Sequence, residues 1–172
     1  MGYTVTNEAR VKMMRIVQGD FGDPRIVALL NFHVTNARAQ TAPGSAHALD
    51  LTGLQSPDVR FWAIWEDDEL LGVGALKQLS SELGEVKSMH TSPSARRRGA
   101  GSAMLHYIIE FARSSGMTRL GLETGSWDYF IPARMFYKRH GFVECAPFGD
   151  YMADSNSVFM TLDLRQSAPG FR

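Results

Sequence analysis

Cysteine is almost missing from this 172-residue chain: Cys145 is the single one. One thiol excludes an intramolecular disulfide and any multi-cysteine metal site, and a reducing, cytoplasmic setting is the expectation. No run approaches the roughly 18 apolar residues of a membrane span. The first ten residues carry no signal-peptide stretch. Gly2 followed by Thr6 fits a loose lipidation pattern, of the kind chance produces in so short a motif. Net charge is absent too, since 18 Lys plus Arg balance 18 Asp plus Glu. No global field therefore draws the chain to nucleic acid. The histidines, at 33, 47, 90, 106 and 140, never stand three to five residues apart, so no zinc spacing exists and no metal is expected. Repeats and low-complexity tracts are lacking.

What is there is ordinary globular material, 44% apolar and 21% charged. The length suits one domain over 1–172, with 166–172 as a frayed tail, and burial of roughly 70% of the unfolded surface. Hydrophobic period and turn chemistry predict a strand at 11–18 and a helix from Asp23-Pro24 to Arg38, with Ile26, Leu29, Leu30 and Phe32 or His33 inward. A long irregular connection follows over 39–57, with room for a short helix near 47–51. Strands are predicted at 59–65 and 70–76 as a hairpin, and at 84–91. A broad apolar stripe marks a helix at 101–114, ended by Gly116. A strand at 117–123, a helix at 132–140 and strands at 142–144 and 158–164 complete an α/β mixture with an antiparallel front half.

The strongest local signal is Arg96-Arg97-Arg98-Gly99-Ala100-Gly101-Ser102, between a strand and a helix start. A helix N-terminus offers unsatisfied N–H groups and the positive end of a dipole. Glycine lets a large anion approach the backbone, and arginine adds bidentate phosphate donors. The segment reads as a phosphate-binding turn. It is not a dinucleotide fingerprint, because Met104 stands where the third glycine belongs, and Gly-Lys-Ser/Thr is absent. The alternative is a glycine-rich helix start beside a solvated basic run.

Arg96-x-x-Gly99-x-Gly101 resembles the turn that binds the pyrophosphate of acetyl-CoA in the GNAT superfamily of N-acetyltransferases. Downstream, Ala133-x-x-Phe136-Tyr137-x-x-x-Gly141-Phe142 resembles that family's second motif, in the right order and with a strand between. The likeness spans about 11–164 and is narrowest to a group of small bacterial members. It implies a twisted, mixed, mostly antiparallel sheet of about seven strands flanked by about four helices. The sheet would split between the strands at 84–91 and 117–123, and acetyl-CoA would lie in the split. Its pantetheine arm would pair with the backbone of Met89, His90 and Thr91, and its phosphates with Arg96 to Ser102. The family often has an asparagine where Phe130 stands here, so that contact is lost.

The resemblance implies acetyl transfer to an amine by direct attack in a ternary complex. The amine must lose a proton, the thioester oxygen must be polarised and the leaving thiolate must be met by a proton. Glu85, 14 residues before Gly99, matches the base of the histone-acetylating branch. Glu123, ending the neighbouring strand, is the other candidate, and a water chain a third. Each carboxylate could instead be structural, Glu85 with Lys87. Tyr137 matches the family tyrosine near the sulfur and is the candidate acid. A backbone N–H at Met89 or His90 is the candidate oxyanion donor, and Cys145 reads as a structural thiol.

The acceptor would meet residues 39–55, the strand at 59–65 and the segment 125–131, with His47, Trp62, Trp127, Asp150 and Tyr151 as contacts. An aromatic and acidic pocket suits a small or amino-acid-like amine. Acetylation of a protein lysine or N-terminus, and a non-catalytic acyl-CoA-binding module, are the competing readings. A homodimer is compatible with the fold; neither nucleic acid nor membrane is expected as partner.

Overall fold

The computed structural model describes residues 12–45, 47 and 49–166. The Gly2 and Thr6 positions of the chance lipidation match and most of the expected frayed tail lie outside the described residues. Seven strands form one sheet in the order β1-β2-β3-β4-β5-β7-β6. They are β1 (Met14–Gln18), β2 (Val59–Glu66), β3 (Glu69–Gln78), β4 (Leu83–Thr91), β5 (Arg119–Gly125), β6 (Val143–Cys145) and β7 (Ser157–Asp163). Four helices flank it: α1 (Pro24–Ala39), α2 (Leu51–Leu54), α3 (Ala100–Ser114) and α4 (Ile131–Arg139). The expected architecture is the one found, and the differences are in the boundaries. Asp50 holds α2 back to Leu51, because its carboxylate accepts from Gly53 N–H at 2.9 Å. β5 starts at Arg119 rather than 117, because Met117 N–H still closes the end of α3 on Ala112 O at 3.0 Å. No described helix is long and apolar enough to cross a membrane.

Strand alternation sorts the core onto two faces. Trp62 and Ile64 of β2 join Met104, Leu105 and Ile108 of α3 on one face. Phe61, Ala63 and Trp65 join Ile26, Leu29 and Leu30 of α1 on the other. Both faces are thus covered, which is why β2 reads as a nearly unbroken apolar run. Phe32, one of the two residues offered as inward on α1, is 45% exposed.

Every neighbouring pair of strands is antiparallel except β4 with β5. That pair is parallel and matched only over Leu83–Glu85 against Arg119–Gly121. Beyond it β4 stays zipped to β3 as far as Thr91, and β5 to β7 as far as Gly125. The sheet therefore splits, leaving two facing strand edges whose backbone groups lack each other as partners. A bulge widens the opening. Val73 opposes His90 and Ala75 opposes Lys87, so Ser88 and Met89 share one partner position. Ser88 takes the strain of that extra residue with φ +52°. Its buried hydroxyl also has no hydrogen-bond partner among the described residues.

Left-handed backbone and an orphaned hydroxyl both count against serine at position 88. Ser88→Gly should raise the unfolding free energy by about 1 kcal/mol. Urea denaturation reads it directly, and a loss of stability would show that the bulge is not strained.

Candidate active site

Three elements converge on the split: the turn before α3, the α1 face of the diverging strands, and the inner side of α4. The turn follows β4 through a short 3₁₀ helix, Pro93–Ala95. Arg96 is extended, Arg97 is left-handed at φ +64° and Gly99 at φ +83°. Alternation of this kind curls successive N–H groups toward one point. Between Arg97 and Ser102 none of them has an acceptor among the described residues outside α3. A Cβ on Gly99 would meet nothing within 4 Å, so the concavity is open. Such an arrangement of open N–H groups has the geometry that suits an anion.

The three arginines do not act alike. Arg96 and Arg97 are exposed and make no ion pair among the described residues. Arg98 turns away: it bonds Glu66, and both oxygens of Glu69 at 3.0 Å. Those bonds, with Glu69 foremost, hold its guanidinium above its ordinary basicity. The expectation that the Arg98 side chain grips phosphate is therefore corrected; only its backbone belongs to the turn. Ala100 is buried at the start of α3. Ser102 Oγ pairs with His140 Nε2 at 3.0 Å, and His140 Nδ1 lies 2.7 Å from Phe136 O, which ties the turn to α4.

Inside the split is a cavity of about 150 Å³. Glu85, Glu123, Tyr137 and Met89 line it, with His33, His47 and Phe130. An outer chamber of about 720 Å³ adjoins it, lined by Lys77, Asp150, Tyr151 and Asp154, and the two share His47, Glu85 and Lys87. A larger depression of about 1130 Å³ between α3 and β7 shares no residue with either.

The two candidate carboxylates are in different states. Glu85 is 3% exposed, and its Oε1 takes the Lys87 ammonium at 3.1 Å and the Tyr151 hydroxyl at 2.5 Å. Lys87 also donates to the Tyr151 oxygen at 3.1 Å. Burial, and then the charge of Glu85, push the Tyr151 hydroxyl far above the phenol range. Glu123 has no ion pair among the described residues. Burial raises its carboxyl above the ordinary 4.5; the Ser157 hydroxyl, then His47 and Lys87, offset part of the rise, and Glu85 adds a little to it. Glu123 opposes Phe159, and its neighbour Leu122 opposes Met160 of the α3-side core. Glu123 thus belongs to the α1 face, whereas Tyr137 packs in the α3-side core. Tyr137 is 8% exposed, its hydroxyl bonds no described residue, and burial lifts it well above the phenol range.

Two imidazoles meet beside the cavity, which His33 lines. His33 and His90 rings are 4.8 Å apart. Burial lowers His33, and burial, His33 and Arg96 lower His90 to about 4. His90 Nε2 is buried with no partner among the described residues. His33 is a residue that sequence reasoning missed; a polar side chain on the apolar stripe of α1 was its only signal.

The acceptor candidates divide. His47 packs edge-on to Tyr151 at 5.1 Å, and Asp150 and Tyr151 line the outer chamber. Trp127 is 42% exposed, its indole bonded to Asn156 at 3.2 Å. Trp62 does not reach either space. It is 6% exposed and held by Tyr107 and Phe111 on the α3 side, because alternation turns it away from the α1 face.

The family model for GNAT acetyltransferases matches residues 26–142. The chain belongs to the GNAT family. Over 151 residues it is 47% identical to the uncharacterised N-acetyltransferase YsnE of Bacillus subtilis, covering 88% of this chain and 100% of that protein. Over 152 residues it is 41% identical to the uncharacterised N-acetyltransferase YedL of Escherichia coli, covering 88% and 96%. A crystal structure from Klebsiella pneumoniae, provisionally described as an acyl-CoA N-acyltransferase, superimposes with a TM-score of 0.74. It shares 27% identity, over 88% of this chain and 98% of that one. The protein is an N-acetyltransferase that works with an acyl-CoA. The split agrees with such a cosubstrate: an open N–H cradle with two free arginines for phosphates, and unpaired strand edges for amides.

The raised carboxyl of Glu123 has a consequence for folding. The unfolded chain gives up this proton at lower pH than the folded one, so the group's contribution falls as pH rises above 4.5. Glu123→Gln should therefore be more stable than the parent at pH 7 and equal to it below about pH 4. Urea midpoints across that range test the sign.

Proposed function

We propose that the enzyme passes the acetyl group of acetyl-CoA directly to a primary amine of a small, amino-acid-like acceptor, with both substrates bound at once. The observation that carries this reading is one cavity with Glu123 on the α1 side and Tyr137 on the α4 side. Acetyl-CoA supplies the activated acyl group. Backbone N–H groups from Arg97 to Ser102, with Arg96 and Arg97, hold the phosphates. Met89, His90 and Thr91 offer backbone partners to the pantetheine amides, and an N–H at the Ser88 bulge, on Met89 or His90, takes the charge that develops on the carbonyl oxygen.

The amine enters from the outer chamber past His47. Glu123 receives its proton, directly or through water; a carboxylate poised above its ordinary range and free of an ion pair suits a base. Glu85 is the weaker choice, because Lys87 and Tyr151 already occupy its oxygen. Glu85 and Lys87 instead hold Tyr151, and Tyr151 holds His47, at the chamber mouth. On the far side Tyr137 keeps its proton at neutral pH and points it at the leaving sulfur. Enclosure favours a small acceptor over a folded protein's lysine. Ser45, 8% exposed, bonds Asp154 at 2.6 Å, and Asn156 Nδ2 reaches Ser45 at 3.4 Å, so the long loop after α1 is strapped over the cavity.

Calorimetry tests the cosubstrate: acetyl-CoA should bind, and Gly99→Glu, which puts a negative side chain into the open cradle, should abolish binding. No binding by the parent protein would defeat the reading. Tyr137→Phe should lower kcat by about 100-fold with acetyl-CoA affinity nearly intact. Thiol release in an acceptor screen measures it, and undiminished turnover would remove Tyr137 from the chemistry.

A further inference from the structure

We infer that Phe130 fixes the length of acyl group the enzyme accepts, as a rigid wall at the end of the acyl slot. The inference rests on the acyl-CoA reading above. The inner cavity is divided by chemistry. His33, Thr41, Glu85 and Glu123 make its α1 side polar, and Val86, Leu122 and Ala133 make its α3 side apolar; Phe130, whose ring rests over Gly125 on the same strand face as Glu123, is the apolar surface on the α1 side. An acyl group that presents its carbonyl to an amine on the Glu123 side lays its hydrocarbon against that ring, because its methylenes lose water there at no polar cost. Phe130, Ala133 and Tyr137 lie at helical spacing along one side of α4 and its cap. The slot therefore runs from the Tyr137 hydroxyl to the Phe130 ring.

Five contacts hold that ring and the backbone that carries it. Phe130 N–H donates to Trp127 O at 2.9 Å. Arg134, one turn on, donates to Gly125 O at 2.6 Å and to Trp127 O at 3.2 Å, which pins the start of α4 against the end of β5. The ring itself lies so close to Gly125 that a Cβ there would come within 2.1 Å of it, and Tyr129 packs edge-on at 5.0 Å. Only glycine at 125 lets the ring sit where it does. A chain longer than acetyl must displace a side chain backed by β5, by Tyr129 and by the α4 cap. A close-packed wall resists that, and one surplus methylene in a tight apolar slot discriminates by roughly 10-fold or more.

The test is calorimetric titration of the full chain with free CoA, acetyl-CoA and butyryl-CoA. Parent protein should bind butyryl-CoA at least about 10-fold more weakly than acetyl-CoA. Phe130→Ala should bring the two within about threefold while leaving free CoA affinity unchanged. Gly125→Ala, which drives the ring into the slot, should weaken acetyl-CoA relative to free CoA, and the Gly125→Ala, Phe130→Ala double variant should recover it. If Phe130→Ala does not fold, Phe130→Leu should show the same change at smaller size. Equal binding of both acyl-CoAs by the parent, or full discrimination kept by the folded variants, overturns the inference. Failure of free CoA to bind the parent overturns the acyl-CoA reading itself.

Discussion

The site depends on a pairing that stops. β4 and β5 share three matched positions and then part, yet each remains hydrogen-bonded to its other neighbour well past that point. The gap is thus imposed by two zipped half-sheets rather than left by a loose strand. Twist drives neighbouring strands apart, and the bulge at Ser88 adds to it. Unpaired backbone groups along such a gap are costly unless something satisfies them. An extended molecule carrying amides does so in the manner of an added strand. On the proposed reading, the cosubstrate site is the break in the sheet.

The split also separates charges that would otherwise interfere. Alternation sends Glu85, Lys87 and Glu123 to the α1 face and leaves Tyr137 in the core beneath α4. Lys87 and Tyr151 absorb the charge of Glu85. Glu123 is left as a carboxylate without an ion pair, shifted upward by burial and by the neighbouring Glu85. Two acids on neighbouring strands thus differ in their partners because one has a cation on its own strand face and the other does not. The phosphate end is sorted likewise. Arg98 is spent on the hairpin carboxylates Glu66 and Glu69, while Arg96 and Arg97 remain in solvent.

Much of the molecule was legible in the residues. The apolar stripe of α3, the caps at Asp23 and Gly116, and the apolar runs of β2 and β3 express local rules, so their elements lie within a residue or two of expectation. The turn at Arg96–Ser102 was legible for the same reason: glycine and a helix start set their own backbone. Less local features were not. Trp62 and Tyr151 are both aromatics near the expected pocket, and only the facing of their strands and loops separates a core residue from a chamber residue. His33 reached the site because α1 lies across the β4 bulge, a contact far apart in sequence.

The sequence by itself determined the family, the order of elements and the glycine turn before α3, because these rest on short-range spacing and backbone preference. Tertiary structure alone decided which of Glu85 and Glu123 carries an ion pair, where Arg98 points, and that Phe130 rests on Gly125. Each of those is a contact between segments remote in the chain or a rotation about a side-chain bond. Residue type and spacing constrain neither, and packing settles both.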